Sequence, residues 1–314
     1  MPGPHLMPSP CGLADTKADT EVDTEARTHV DAIGDALLGA WDDFLAVVRS
    51  ADLNRPSRLP GWTGRATCLH LGSWDDHPAL VGLVAAAQSG GGPRPQNADD
   101  RNAAVVAAHQ GATTDETIAA LERSRDVLAA WFDTEEPAAL AAARVYSTIG
   151  ELPLLSLVHA GCYELAVHAL DLGPCGAESP SEFLLGRGLA ALMDVTGALS
   201  SRAGIDITVT AATGVGGWSF TSTNEGWTTQ PVPTGPFVGA GVRGTAADLL
   251  DASAGRAALP SLLVQRRLVV QQLASFMRLA PLVNDVPGLP GGQALKAGLA
   301  GIGGVTRLLG RLRR

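Results

Sequence analysis

Positive charge is in deficit in this sequence: 23 lysines and arginines stand against 32 aspartates and glutamates, a formal net charge of −9. Without a global basic field nothing draws phosphates at long range, which argues against nucleic acid as the main partner. Cysteine is sparse as well. Cys11, Cys68, Cys162 and Cys175 stand in unrelated settings with no short paired spacing, which argues against a disulfide scaffold and against a cysteine-type zinc cluster. Cys68 and Cys162 lie near residues singled out below, but a cysteine in such a setting is usually a small apolar filler, and both are read that way. The N-terminus has no basic segment leading into an apolar one, and no uninterrupted apolar run is long enough to span a bilayer. The expected location is the cytoplasm.

What the chain does have is apolar bulk. With 314 residues, 46% hydrophobic and 18% charged, it can bury a substantial core, and its length suggests two domains. Residues 1–28, rich in Pro, Gly, Thr and Asp, lack hydrophobic periodicity and read as a disordered leader. From Val30 an amphipathic stripe begins, with Ile33, Leu37, Trp41, Phe44 and Val48 at helical steps. After Leu59-Pro60-Gly61-Trp62, Thr63 is a plausible cap for a second helix running to about His77, where Pro78 ends or kinks it. Asp99 to His109 reads as helical, and Thr113-x-x-Glu116 as a capping box opening another helix. A last helix of this half starts near Pro153 and stops at Gly173-Pro174. Residues 29–175 therefore read as a helical bundle.

Residues 180–285 differ in texture. A helix from Ser181 to Arg202 precedes the alternating strand Ile205 to Thr210, and further short strands are expected around Trp218-Ser219-Phe220, Gly226-Trp227-Thr228 and Phe237 to Val242. Helices are expected from Thr245 and over Leu262 to Leu279. This half is a smaller α+β domain. Residues 286–314 form an amphipathic basic tail, best read as a frayed appendage because its glycines weaken any helix.

The chemistry-bearing residues cluster in two places. Glu164 and His168, four apart on a helix, share one face, so two metal ligands can converge there. His70, carried on the helix launched by the Pro-Gly-Trp turn, is a third candidate. Taken alone, Glu164 and His168 also fit an ordinary solvated pair worth a few tenths of a kcal/mol, about 0.2–0.5. Asp171 reads either as the acceptor that orients a ligand histidine or as a helix-exit residue. His77 reads as a helix-end residue; His109 and His159 have no partner at ligand spacing and read as satisfied or exposed. Trp62 and Trp74 read as packing residues of the bundle.

Leu59-Pro60-Gly61-Trp62 followed by Leu69-His70-Leu71, and Glu164-x-x-x-His168 followed by Asp171-Leu172, resemble the mycothiol-dependent maleylpyruvate isomerase family of the DinB-like superfamily. The resemblance runs over most of the chain, and Gly244-Thr245-Ala246-Ala247-Asp248-Leu249-Leu250 through Gly255-Arg256 looks like that family's second-domain signature. It implies a DinB-like four-helix bundle with a C-terminal α+β domain. It implies a divalent metal, typically zinc, on His70, Glu164 and His168, with mycothiol as the thiol cofactor. The activity implied is a mycothiol S-transferase or a maleylpyruvate-type cis-trans isomerase, in which a thiolate attacks a small electrophilic, in one reading acidic, substrate. Arg243 is the second-domain arginine expected to serve catalysis by pairing with a substrate carboxylate; Arg256 is open to the same role but reads first as a surface or capping residue. The chain departs from the family pattern between Leu157 and Tyr163, where an arginine is common and His159 stands here. The alternative is a non-catalytic small-molecule-binding or interaction protein that kept the fold.

Overall fold

The computed structural model describes residues 15–75, 79–93 and 98–285. His5, Cys11, His77 and the tail beyond 285 lie outside them, and so do the expectations made for them. Helix α1 (Asp15–Ser50) begins inside the segment read as a structureless leader. The correction has a simple cause: Lys17, Ala18, Glu21, Glu25 and Ala26 are good helix formers, and elongating a helix already nucleated by a packed stripe costs little. The stripe itself is buried, with Ile33, Leu37, Trp41, Phe44 and Val48 all in the core.

The bundle half continues with α2 (Gly64–Leu69), α3 (Ala79–Gln88), α4 (Ala98–Ala108), α5 (Thr114–Phe132) and α6 (Glu136–Leu140). A short hairpin of β1 (Arg144–Ser147) and β2 (Gly150–Pro153) then leads into α7 (Leu154–Asp171). Both bonds of the Thr113–Glu116 capping box are present. Helix α2 is shorter than its sequence suggests, stopping at Leu69 instead of running on to His77. The Trp74 indole donates to the Leu69 carbonyl at 2.8 Å, and Gly72 lies so close to Ala120 that a side chain there would collide. The turn after Leu69 is thus clamped by α5 rather than continued.

Helix α8 (Glu182–Arg202) joins the two halves. It is followed in the chain by β3 (Ile207–Thr213), β4 (Gly216–Ser222), β5 (Trp227–Val232), β6 (Ala240–Arg243), α9 (Ala246–Ser253), α10 (Leu259–Val264), β7 (Val269–Gln271), α11 (Leu273–Phe276) and α12 (Ala280–Asp285). The five strands form one sheet in the order β5-β4-β3-β6-β7, with β3 and β6 parallel and the other pairs antiparallel. The continuous helix expected over Leu262 to Leu279 is broken. Arg266 and Gln272 take left-handed backbone, with φ of 58° and 50°, and the β-branched Val269-Val270 between them pairs with β6 as an edge strand.

Two glycines let α8 serve both halves. Gly188 packs directly on Ala166 of α7, and Gly197 lies against Trp227 and Phe220 of the sheet. Nine residues on a helix amount to about 2.5 turns, so the two face opposite ways. The sequence-based boundary between 175 and 180 is therefore not a structural gap: α8 lies between two cores, one around Phe44, Leu121, Leu165 and Leu172, the other around Leu189, Val209, Phe220 and Leu268. Each fully buried Leu or Phe contributes about 1.5–3 kcal/mol. Helix α8 is also the one described helix long and apolar enough to cross a membrane, but 67% of its apolar window is buried within the fold.

Candidate metal centre

Local turn chemistry places the first of the three candidates. Pro60 and Gly61 occupy the middle of a turn closed by the Trp62 N–H on the Leu59 carbonyl at 3.0 Å. Gly61 has φ of 80°, the sign a type II turn requires at that position. Thr63 then caps α2 by accepting from the Ala66 N–H at 3.2 Å. About two turns after Thr63 the helix ends at His70, its C-cap. The Trp62 ring returns edge-on to the His70 ring, 5.5 Å between centroids.

Helix α7 supplies the other two. His168 Nε2 lies 3.4 Å from a Glu164 carboxylate oxygen, and the His70 and His168 rings meet edge to face at 4.8 Å. The three residues offer donor atoms that all lie within 4.8 Å of one another, the one such group among the described residues. Four-coordinate zinc with bonds of about 2.0–2.2 Å holds neighbouring donors roughly 3.4 Å apart, so a small inward closure suffices. His70 Nδ1 is buried and makes no well-formed hydrogen bond, although the backbone of Ala66 and Thr67 lies close enough to act on the ring. The donor set fits a divalent ion.

A second layer fixes these groups. His168 Nδ1 lies 3.0 Å from Oδ2 of Asp171, whose side chain is wholly inaccessible. Asp171 also takes three hydrogen bonds from Arg256, two from Nε at 3.0 and 3.2 Å and one from Nη2 at 3.1 Å, and the Arg58 guanidinium stands 3.5 Å away. Both readings of Asp171 meet here: it is the last residue of α7, and its carboxylate is hydrogen-bonded to His168.

The electrostatics follow from this packing. Burial, aided by the neighbouring His168, lowers the His70 pKa to about 3, so this ring is neutral and its lone pair is available. Burial alone would lower His168 too, but hydrogen bonds to Asp171 and Glu164 outweigh it and raise the ring to about 9. Glu164 keeps 47% of its side chain accessible, yet its carboxyl lies deep enough that burial pushes its pKa up. The His168 hydrogen bond and the positive charges of His168 and Arg256 more than offset this, and the net shift is downward.

Other sequence-based candidates fall elsewhere. Arg243 is engaged within its own domain, donating to the Gly235 carbonyl at 2.8 Å with its guanidinium over Phe237. The second-domain arginine that reaches the bundle is Arg256, the second of the two arginines the sequence offers for that place. No local pattern in the sequence marks Arg58, whose contact with Asp171 spans more than a hundred residues. Cys68 and Cys162 are fully buried; burial pushes Cys162 up to about 12 and Cys68 higher still, as inert fillers would be. His159 is satisfied by buried Asp194 at 3.0 Å, which also accepts from Trp227. His109 stacks on Trp74 at 4.0 Å.

Fold and site together define a class: a helical bundle with two histidines and one carboxylate converging from facing elements, joined through one shared helix to an α+β layer. Residues 35–173 match the family model described as the mycothiol maleylpyruvate isomerase N-terminal domain. Among solved structures, the chain is similar to a crystal structure of the mycothiol-dependent maleylpyruvate isomerase, at 19% identity and a TM-score of 0.47, covering 73% of this chain and 90% of that one. A point mutant of that enzyme gives 18% identity and a TM-score of 0.46 with the same coverage. Comparison with curated proteins finds no match.

Proposed function

We propose that this protein is a mycothiol-dependent enzyme, an S-transferase or a maleylpyruvate-type isomerase, that works with a divalent ion, zinc first, held by His70, Glu164 and His168. The observation that carries the reading is the convergence of these three donors within 4.8 Å, a trio that leaves a fourth coordination position to be filled from outside the set. A catalytic ion needs such an open position; a structural one is closed by four protein ligands. When bound, the ion would supply the acidity that holds a thiol as thiolate near neutral pH.

The chain's own residues prepare that site. Asp171 accepts the Nδ1 proton of His168, which leaves Nε2 as the ligating nitrogen. Trp62 packs against His70 and limits its movement. The three described cysteines are buried, which favours a nucleophilic sulfur supplied by a small molecule. Arg256 and Arg58, gathered at Asp171, bring positive charge to the end of the site where an anionic substrate would need it; Arg243 is not assigned that task.

The test is metal analysis of the purified protein combined with thiol consumption and product mass, using mycothiol and a panel of electrophiles. Stoichiometric metal is expected, lost in His70→Ala, Glu164→Ala and His168→Ala. A product heavier by the thiol marks transfer; unchanged mass with altered geometry marks isomerisation. Full metal retention in all three variants, or full turnover without any added or copurified thiol, would refute the proposal.

A further inference from the structure

The Arg256 contact has a local origin. Helix α9 ends in a turn where the Arg256 N–H bonds to the Asp251 carbonyl at 2.8 Å and the Gly255 N–H to the Ala252 carbonyl at 3.3 Å. Gly255 has φ of 69°. This is a Schellman ending, in which a glycine in left-handed backbone reverses the chain at almost no steric cost. The reversal sends the Arg256 side chain out of its own domain and across to Asp171 at the end of α7, a separation of 85 residues. The same turn is tied down from the other side. Asp251 accepts from Arg58 at 2.5 Å, and the Arg58 backbone N–H bonds to the Asp171 carbonyl at 3.0 Å.

We infer that the α9 turn is a positioning element for the metal centre: Arg256 of the second domain holds Asp171, and Asp171 in turn holds His168 in its ligating orientation. This rests on the reading of His70, Glu164 and His168 as ligands. Asp171 is wholly buried, so without its two-pronged partner it would be left with an ill-compensated charge and freedom to rotate about its side-chain bonds. Either change releases His168 Nδ1. Because coupling between two binding events is reciprocal, an ion at the centre also favours docking of the α9 turn onto α7. Arg256 is thus a residue through which the second domain tunes metal affinity, separately from any contact with substrate.

The experiment compares wild type with Arg256→Ala, Arg256→Lys and Arg243→Ala. Zinc affinity is measured by competition with a chelator, the visible spectrum is recorded with cobalt in place of zinc, and hydrogen exchange of the α9 amides is followed with and without zinc. Groups that orient a metal ligand change affinity by about 10–100-fold. We expect roughly a tenfold loss for Arg256→Ala, near the lower end because Arg256 acts through Asp171. We also expect an altered cobalt spectrum and loss of the zinc-dependent protection of α9. Arg256→Lys, which keeps the charge without the fork, should fall between, and it carries the test if the alanine variant does not fold. Arg243→Ala should bind like wild type. Unchanged affinity and an unchanged cobalt spectrum in a folded Arg256→Ala would overturn the coupling while leaving the metal reading intact. A wild-type protein that binds neither zinc nor cobalt would overturn both.

Discussion

His168 Nδ1 and Asp171 Oδ2 lie 3.0 Å apart on the last turn of α7, and this one bond decides which ring nitrogen faces Glu164 and His70. A carboxylate that accepts the Nδ1 proton leaves Nε2 as the lone-pair donor. Asp171→Asn keeps the shape but can no longer pair with Arg256 as an ion, so zinc affinity should fall by about tenfold or more. Chelator competition checks this, and an affinity within twofold of wild type would remove Asp171 from the centre.

Metal binding should depend on pH in a stated direction. In the metal-free protein His168 holds its proton up to about 9, and His70 is neutral at all pH above about 3. An ion must displace the His168 proton, so log affinity should rise with a slope of about one between pH 6 and 8 and flatten near the His168 pKa. Calorimetry in buffers of different ionisation enthalpy should count about one proton released from His168 per ion at pH 7. No proton release would contradict the charged state assigned to His168.

The stability of the metal-free protein should run the other way. The folded pKa of His168 lies above its ordinary 6.5, so its contribution is fully present below about 6.5 and lost as pH rises through about 9. Thermal unfolding of chelator-treated protein across that window measures it. Rising stability over that range would show that other groups dominate.

Cys68 and Cys162 should resist alkylation in the native protein at pH 8, because both are buried and their thiols are held protonated. Mass spectrometry after iodoacetamide should find them modified only once the chain is denatured. Rapid native labelling of Cys162, with loss of turnover, would point instead to a protein nucleophile.

Gly188→Ala should destabilise the whole molecule. A Cβ there collides with Ala166 and comes within 3.3 Å of the Cys162 carbonyl, and backbone cannot yield as a flexible side chain can. Overpacking of this kind costs about 1–3 kcal/mol, readable as a lower urea midpoint. A neutral effect would mean that α7 and α8 can separate freely.

The sequence by itself determined what is local. The stripe of α1, the Thr113–Glu116 box, the Pro60-Gly61 turn and the shared face of Glu164 and His168 all rest on interactions within about one turn of chain, and periodicity and capping chemistry report such interactions directly. Tertiary structure decided the rest. Trp74 and Ala120 end α2 at Leu69; pairing with β6 breaks the segment expected to be helical over 262–279; Gly188 and Gly197 make α8 common to both cores. It also chose Arg256 over Arg243 as the arginine that reaches the bundle. Two arginines of one domain look alike in a sequence, and only the backbone reversal at Gly255, together with a buried carboxylate 85 residues away, distinguishes them.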